Sequence, residues 1–257
     1  MNDETISPSL ISAILNARKM VALTGAGISS ESGIPTFREA QTGLWATYDP
    51  QELATPQAFE EHPRTVLLWY QWRKSLIAKS EPNPGHLALA SLEKIALQKG
   101  QKFTLITQNV DNLHQQAGSE TVIELHGNIF RSKCAQCQRQ PAIELPEVTA
   151  ESELPRCPFC GGLYRPDVVW FGESLPGEAL QRAFEKSNHC DLFLSIGTSA
   201  VVQPAASLPL MAHENGATLV EINPNPTHLT PKANYALQNK AGQVLPMIVN
   251  RIRDHLS

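Results

Sequence analysis

Five short stretches of this chain are almost continuously apolar, and each ends in a polar or glycine-containing turn. They are MVALTGAG (20–27), FTLITQNV (103–110), TVIELHG (121–127), LFLSIGTS (192–199) and TLVEINP (218–224). A strand with one wet face alternates apolar and polar residues, whereas a nearly unbroken apolar run suits a strand covered on both faces. Helical patterns lie between these runs. ISAILNARK precedes the first, HLALASLEKIALQKG the second and PGEALQRAFEKSNH the fourth, and VLPMIVNRIRDHL closes the chain. Strands alternating with helices predict an α/β fold with a doubly wound parallel sheet.

Two stretches break the alternation. Residues 36–85 carry apolar and aromatic helical material between proline-marked loops, and residues 131–165 carry cysteines with little regular pattern. Both read as insertions that together build a smaller second domain. The large domain then comprises 1–35, 86–130 and 166–257, and the whole of 1–257 forms one catalytic unit.

With 257 residues, 42% of them hydrophobic and 18% charged, the chain has enough apolar material for a core and too few charges for disorder. Its 21 basic and 25 acidic side chains give a net charge of −4, which argues against direct nucleic-acid partners. Pro204 and Pro209 interrupt the most apolar stretch, Val201–Ala212, so no membrane helix is expected. The opening MNDETISPSL lacks the features of a secretory signal, and Asp3 and Glu4 without arginine do not suit a mitochondrial leader. The expected location is cytoplasmic.

Of five cysteines, four form two C-x-x-C pairs, Cys134/Cys137 and Cys157/Cys160, separated by 19 residues. That spacing suits paired zinc knuckles, and four thiolates fill a tetrahedral shell, so the expected ion is one structural Zn2+. Redox-active or disulfide-bonded pairs are the alternative. Cys190 stands apart in an apolar neighbourhood and reads as a core residue.

The first strand-to-helix junction holds Gly25, Ala26 and Gly27. Glycines there let the backbone turn tightly and approach a pyrophosphate, with Ser29 and Ser30 available to cap the next segment. The same pattern also occurs in plain turns. The usual third glycine is replaced by Ser30, which departs from a simple dehydrogenase.

The longer strings are more specific. GAGISSESGIPTFR (25–38), TQNVDNLH (107–114), HG (126–127), RPDVVWFGE (165–173) and GTSAVVQPA (197–205) stand in the order found in sirtuins. The chain strongly resembles that family of NAD-dependent protein lysine deacylases, from about Ile14 to the C-terminal helix. The resemblance implies a Rossmann-like fold and His126 as the catalytic base. In that family the acyl oxygen of a modified lysine attacks the anomeric carbon of the nicotinamide ribose, and nicotinamide departs. The histidine then draws a proton through the ribose hydroxyls, leading to free lysine and O-acyl-ADP-ribose.

The same resemblance implies cofactor contacts from Gly25, Ala26, Gly27, Thr36, Phe37 and Arg38 at the first junction. Gln108, Asn109, Val110 and Asp111 are placed near the ribose and carboxamide, and Gly197, Thr198 and Ser199 near phosphate and ribose. Asn223, Asn225 and Ala241 fall near the adenosine. Asn109 and Asp111 also suit plain turn formation. Val168, Val169, Trp170 and Phe171 form a strand-like segment matching the one that pairs with substrate backbone in sirtuins. The implied partners are acylated lysine side chains of proteins.

Tyr70 and Arg73, three residues apart on a predicted helix, share a face. A guanidinium fork binds a carboxylate bidentately, and a phenol adds a third bond. The pair resembles the signature of the sirtuin branch that removes succinyl, malonyl or glutaryl groups, and Thr36 in place of the usual aspartate agrees. Acetyl removal is expected beside it. Glu39 departs from the family's glycine, which leaves the roles of 39–45 open. A mono-ADP-ribosyltransferase and a non-catalytic NAD or ADP-ribose sensor are the competing functions.

Overall fold

The computed structural model describes residues 6–34 and 49–256. Helix α1 (Pro8–Asn16) leads into β1 (Lys19–Thr24) and the short α2 (Ala26–Ser30). Helices α3 (Pro50–Leu53), α4 (Pro56–Glu61) and α5 (Pro63–Ile77) follow, then α6 (Pro84–Gln98), β2 (Lys102–Thr107), α7 (Leu113–Gln116) and β3 (Val122–Glu124). A hairpin-like pair, β4 (Gly127–Cys134) and β5 (Tyr164–Val168), precedes α8 (Gly177–Asn188). The chain ends with β6 (Leu192–Ile196), α9 (Ser207–Glu214), β7 (Thr218–Ile222), β8 (Tyr235–Leu237) and α10 (Ala241–Leu256).

Several helices begin with the same device: a polar side chain caps the first turn and proline occupies the first position. Ser7 accepts from the Leu10 N–H ahead of α1, and Thr55 accepts from Ala58 ahead of α4. Asn83 does the same for α6, with the His86 ring returning to the Asn83 N–H. Proline lacks the N–H that would be unsatisfied there, so the pairing has little penalty.

Six parallel strands form the main sheet in the order β3-β2-β1-β6-β7-β8. The central strands explain the apolar runs. All five residues of β6 are buried, and only the leading lysine of β1 and of β2 reaches solvent. One face packs under α1, α6 and α10 through Leu10, Ile14, Leu89, Leu92, Val244 and Ile248. The other packs under α8 and α9 through Ala183, Leu208 and Ala212 against Phe193. This is the doubly wound, Rossmann-like sheet.

Strand order reverses at β1, whose neighbours are β2 on one side and β6 on the other. The register brings Thr24 level with Thr107 and with Ile196. The loops opening at Gly25, Gln108 and Gly197 therefore leave the sheet at the same height, where α/β sheets place ligand crevices.

The antiparallel pair β4–β5 stands outside the main sheet. It shares a third apolar cluster with the helical segment: Phe59, Trp69, Tyr70, Ile77, Val168 and Trp170 pack together. Among the described residues no helix is long and apolar enough to cross a membrane.

Helix α9 and strand β8 are among the elements that lack a clear trace in the sequence pattern. Helix α9 contains Pro209, but at its third residue, where the missing N–H has no helical acceptor to lose. Strand β8 is three residues long and lies at the sheet edge.

Candidate active site

The crevice begins with three interlocked glycines. The Gly25 N–H donates to the Ile196 carbonyl at 3.0 Å and the Gly27 N–H to the Gly197 carbonyl at 2.8 Å. A Cβ on Gly25 would stand 2.8 Å from the Gly197 oxygen, and one on Gly27 would stand 2.7 Å from it. Gly197 adopts φ +58°, and its own Cβ would meet the Ile28 nitrogen at 2.6 Å. The loops after β1 and β6 are thus in backbone contact, leaving the exposed Ala26 and half-buried Thr198 at the crevice. The expected reasons for these glycines are a tight turn and a close approach to pyrophosphate; their mutual packing adds a further, structural requirement.

Ser29 and Ser30 do not cap α2, whose N-cap is Gly25, but lie within it. Ser30 Oγ bonds back to the Gly27 carbonyl, as mid-helix serines commonly do. Ser29 is buried and donates to Asp111 Oδ2 at 2.6 Å while accepting from Asn109 Nδ2 at 2.9 Å. Asn109 Nδ2 also reaches the Gly25 carbonyl at 3.0 Å, and Asp111 Oδ1 accepts from the Leu113 N–H. Burial raises the Asp111 pKa, with the Ser29 and Leu113 bonds opposing it. Both Asp111 oxygens are occupied by protein partners.

Gln108 donates from Nε2 to Thr198 Oγ1 at 3.1 Å. Its carbonyl oxygen lies 2.8 Å from His126 Nδ1. A carbonyl can only accept, so the proton resides on Nδ1 and Nε2 presents a lone pair. Burial lowers the His126 pKa, and the bond to Gln108 partly opposes this. The ring is therefore a neutral base at pH 7. His126 lies two residues beyond β3 rather than at its last residue, and its carbonyl accepts from the Val169 N–H at 2.9 Å.

Around the rim, Asn223 Nδ2 bonds to the Asn225 carbonyl at 2.9 Å and reaches the Thr198 carbonyl at 3.5 Å; Asn225 and Ser199 are exposed. Ala241 is the buried first residue of α10. Glu31, which sequence reasoning passed over, accepts from the adjacent Gly242 N–H at 3.0 Å. Val110 packs against the third apolar cluster, and its carbonyl accepts from Ile129. Thr36, Phe37 and Arg38, together with the Glu39 departure, lie outside the described residues.

The segment expected to be strand-like at 168–170 is displaced. Strand β5 ends at Val168, Val169 follows with its N–H on the His126 carbonyl, and the chain turns from Trp170 to Glu173. A half-buried ion pair braces this segment. Arg165 forks onto Glu173 with two 2.7 Å contacts and donates to the Val168 carbonyl, while Glu173 accepts from the Trp170 N–H. Phe171 is left exposed and Trp170 buried.

Trp170 leads to the helical pair. Its Nε1 donates to Tyr70 Oη at 2.9 Å. Tyr70 is buried, and its pKa is raised by burial against the opposing pull of Arg73. Arg73 lies one turn on, its guanidinium 5.0 Å from the Trp69 ring centre. Burial lowers its pKa from a very high ordinary value while Tyr70 raises it. Tyr70 and Arg73 thus lie one turn apart on α5, the first buried and the second half-buried.

Below the crevice lies a buried polar chain absent from the sequence reading. Thr24 Oγ1 bonds to Thr107 Oγ1 and His114 Nε2, each at 2.9 Å, and the His114 ring sits 4.8 Å from that of His86. Burial lowers the pKa of His86 to about 4 and that of His114 to about 3.

The four cysteine sulfurs all lie within 4.8 Å of one another. Cys134 and Cys160 are 3.4 Å apart, and Cys137 and Cys157 3.7 Å. Ligands at 2.3 Å from a tetrahedral Zn2+ are separated by roughly 3.8 Å, so the four thiols fit that ion. The two knuckles are built alike. The residue after each second cysteine, Gln138 at φ 59° or Gly161 at φ 75°, returns its N–H to the carbonyl of the first cysteine. Four protein ligands leave no open position, which defines a structural site. Cys190 is buried, away from this group.

Residues 25–204 match the model of the Sir2 family. The chain belongs to the Sir2 family. A Pyrococcus furiosus relative named NAD-dependent protein deacylase is 51% identical over 247 residues, covering 95% of this chain and 97% of that protein. A solved Sir2 homologue–NAD complex superposes with TM-score 0.89 at 47% identity, covering 98% and 96% of the two chains. A Sir2 complex with a deacetylated peptide and O-acetyl-ADP-ribose is 34% identical with TM-score 0.79, covering 95% and 97%. The fold expected from the apolar runs and the family expected from the ordered strings are both borne out.

Proposed function

We propose that this Sir2-family chain is an NAD-dependent protein-lysine deacylase that removes acidic acyl groups, succinyl and malonyl foremost and glutaryl with them, and also acetyl. The observation that carries the catalytic reading is His126. Its Nδ1–H is committed to the carbonyl of Gln108, in the loop after β2 beside the reversal of strand order, which leaves the Nε2 lone pair to act as the base. NAD, the co-substrate, supplies the ribose carbon that accepts the acyl oxygen. The chain's own residues bind, orient and move a proton. His126 Nε2 takes that proton from the ribose hydroxyls, and the Gln108 carbonyl holds the ring in the tautomer that accepts it.

Gly25, Ala26, Gly27, Thr198 and Ser199 take the phosphates and neighbouring ribose, with Thr36, Phe37 and Arg38 contributing from beyond the described residues. Gln108 and Asn109 face the nicotinamide side, Asn109 through its Oδ1 because Nδ2 serves Gly25 and Ser29, and Val110 borders it. Because both Asp111 oxygens serve Ser29 and Leu113, we assign Asp111 a positioning role in holding the Asn109 loop. Asn223, Asn225 and Ala241 border the adenosine. The acylated lysine enters between the large domain and the small domain of residues 36–85 and 131–165, along the backbone of Val168, Val169, Trp170 and Phe171. Tyr70, buried, and Arg73, half-buried one turn along α5, support the acidic preference, since a guanidinium and a phenol together suit a terminal carboxylate.

Incubation with succinyl-lysine and acetyl-lysine peptides, with and without NAD, tests the proposal by mass spectrometry. Free lysine peptide, nicotinamide and O-acyl-ADP-ribose are expected together, with the succinyl peptide preferred. Labelled protein without deacylated peptide would instead indicate ADP-ribosyl transfer.

A further inference from the structure

The Trp170 side chain is held more tightly than a backbone-pairing segment requires. The Arg165–Glu173 fork closes the turn, Glu173 Oε2 accepts the Trp170 N–H at 2.8 Å, and the Glu173 N–H returns to the Trp170 carbonyl at 3.0 Å. The Arg165 guanidinium carbon lies 3.5 Å from the Trp170 ring centre, and Phe59 packs against the same ring at 5.2 Å. Everything that fixes this indole aims its single N–H at one acceptor, the Tyr70 oxygen 2.9 Å away.

An indole nitrogen can only donate, so Tyr70 is the acceptor in that bond. A phenol O–H and its in-plane lone pair occupy opposite sides of the oxygen in the ring plane. With one side taken by the indole, the hydroxyl proton is left on the other. We propose that Trp170 is a specificity-determining residue: its indole N–H orients Tyr70 so that the phenol donates its proton to the terminal carboxylate of an acidic acyl chain. Arg73, one turn along α5, supplies the charge for that carboxylate, and the Arg165–Glu173 pair is the positioning device behind Trp170. The raised pKa of Tyr70 keeps this proton in place at neutral and mildly alkaline pH. The inference rests on the acidic-acyl reading and deepens it, since it names the group that makes Tyr70 a donor rather than an acceptor.

The test is a double-mutant cycle on acyl preference. Peptides of one sequence carrying succinyl-lysine or acetyl-lysine are assayed with the wild type, Trp170→Phe, Tyr70→Phe and the double variant. The quantity read is the ratio of kcat/KM for succinyl over acetyl, from which effects common to both substrates cancel. Each single change is expected to lower the ratio roughly fivefold, the equivalent of one neutral hydrogen bond. The double variant is expected to fall no further than Tyr70→Phe alone, because Trp170 acts only through that phenol. An unmoved ratio in Trp170→Phe, or losses that multiply in the double variant, would overturn the inference. If Trp170→Phe does not fold, benzothienylalanine at position 170 retains the shape of the indole without its N–H and must give the same fall. Arg73→Met separates the two levels. A ratio it leaves unchanged overturns the acidic-acyl reading and this inference together. A fall in Arg73→Met beside an unmoved Trp170→Phe overturns this inference alone.

Discussion

Alanine substitutions at three glycines separate backbone strain from the packing that builds the crevice. Gly216 sits in the turn before β7 at φ +93° with no atom within 4 Å of an added Cβ, so Gly216→Ala reports strain alone. That is about 1–2 kcal/mol, or a few degrees in Tm for a chain of this size at about 2–4 °C per kcal/mol. Gly25 is at φ −121° and ψ −174°, which alanine adopts freely. Its Cβ would nevertheless meet the Gly197 oxygen at 2.8 Å and the Thr198 Cα at 2.9 Å, both backbone. Ordinary contact needs about 3.5 Å or more, so one loop must move by roughly half an ångström. Overpacking of that kind costs about 1–3 kcal/mol. Gly197→Ala combines both effects, at φ +58° with the Ile28 nitrogen 2.6 Å away, and should be the least stable of the three. Thermal melting and the KM for NAD provide the assay. Gly25→Ala and Gly197→Ala are expected to raise that KM by an order of magnitude or more, because the loops they separate carry Ala26, Thr198 and the Asn109 anchor on the Gly25 carbonyl. Gly216→Ala should leave it alone. If Gly25→Ala matched the wild type in both stability and KM, the interlocked-glycine reasoning would be refuted.

Three further outcomes follow from the same geometry. Arg73→Met should reduce kcat/KM on succinyl-lysine about 10- to 100-fold more than on acetyl-lysine, as expected for losing a charge-assisted contact of roughly 1.5–3 kcal/mol; equal losses on both substrates would remove its assigned role. Removing metal with a strong chelator, or changing Cys157→Ser, should lower Tm and release close to one Zn2+ per chain, measurable by a colorimetric indicator, because the closed four-thiol site contributes folding energy. His86 and His114 have folded pKa values of about 4 and about 3, below the ordinary 6.5, so the unfolded chain binds their protons first. Their contribution is complete above about pH 6.5 and is lost as pH falls toward those values; denaturant titrations should show up to roughly 2.5 kcal/mol less stability at pH 5.5 than at pH 7, less if other groups compensate. A flat profile over that range would count against their burial in the neutral form.

The main sheet was legible because β1, β2 and β6 are buried on both faces, which forces unbroken apolar runs. The cysteine site was legible because its spacing is local within each knuckle. The remainder depended on contacts distant in sequence. Nothing near Gly25 signals that Gly197 fills the space beside it, and Ser29 looks like a cap until Asp111, 82 residues away, claims its proton. The β-branched pair Val168–Val169 suggests a strand that continues, but the chain turns from Trp170 to Glu173, braced by the Arg165–Glu173 fork. Glu31 meets the start of α10 from 211 residues away, and the Thr24–His114–His86 chain forms only when β1, α7 and α6 come together.

The measurement that bears most directly on the whole account compares the wild type and His126→Ala in product stoichiometry, with thermal melting to establish that the variant folds. With NAD and a succinylated peptide, the wild type should release lysine peptide, nicotinamide and O-succinyl-ADP-ribose in equal amounts, and the variant should release essentially no lysine peptide. Deacylation by the wild type without NAD, or undiminished turnover in a folded His126→Ala, would contradict it.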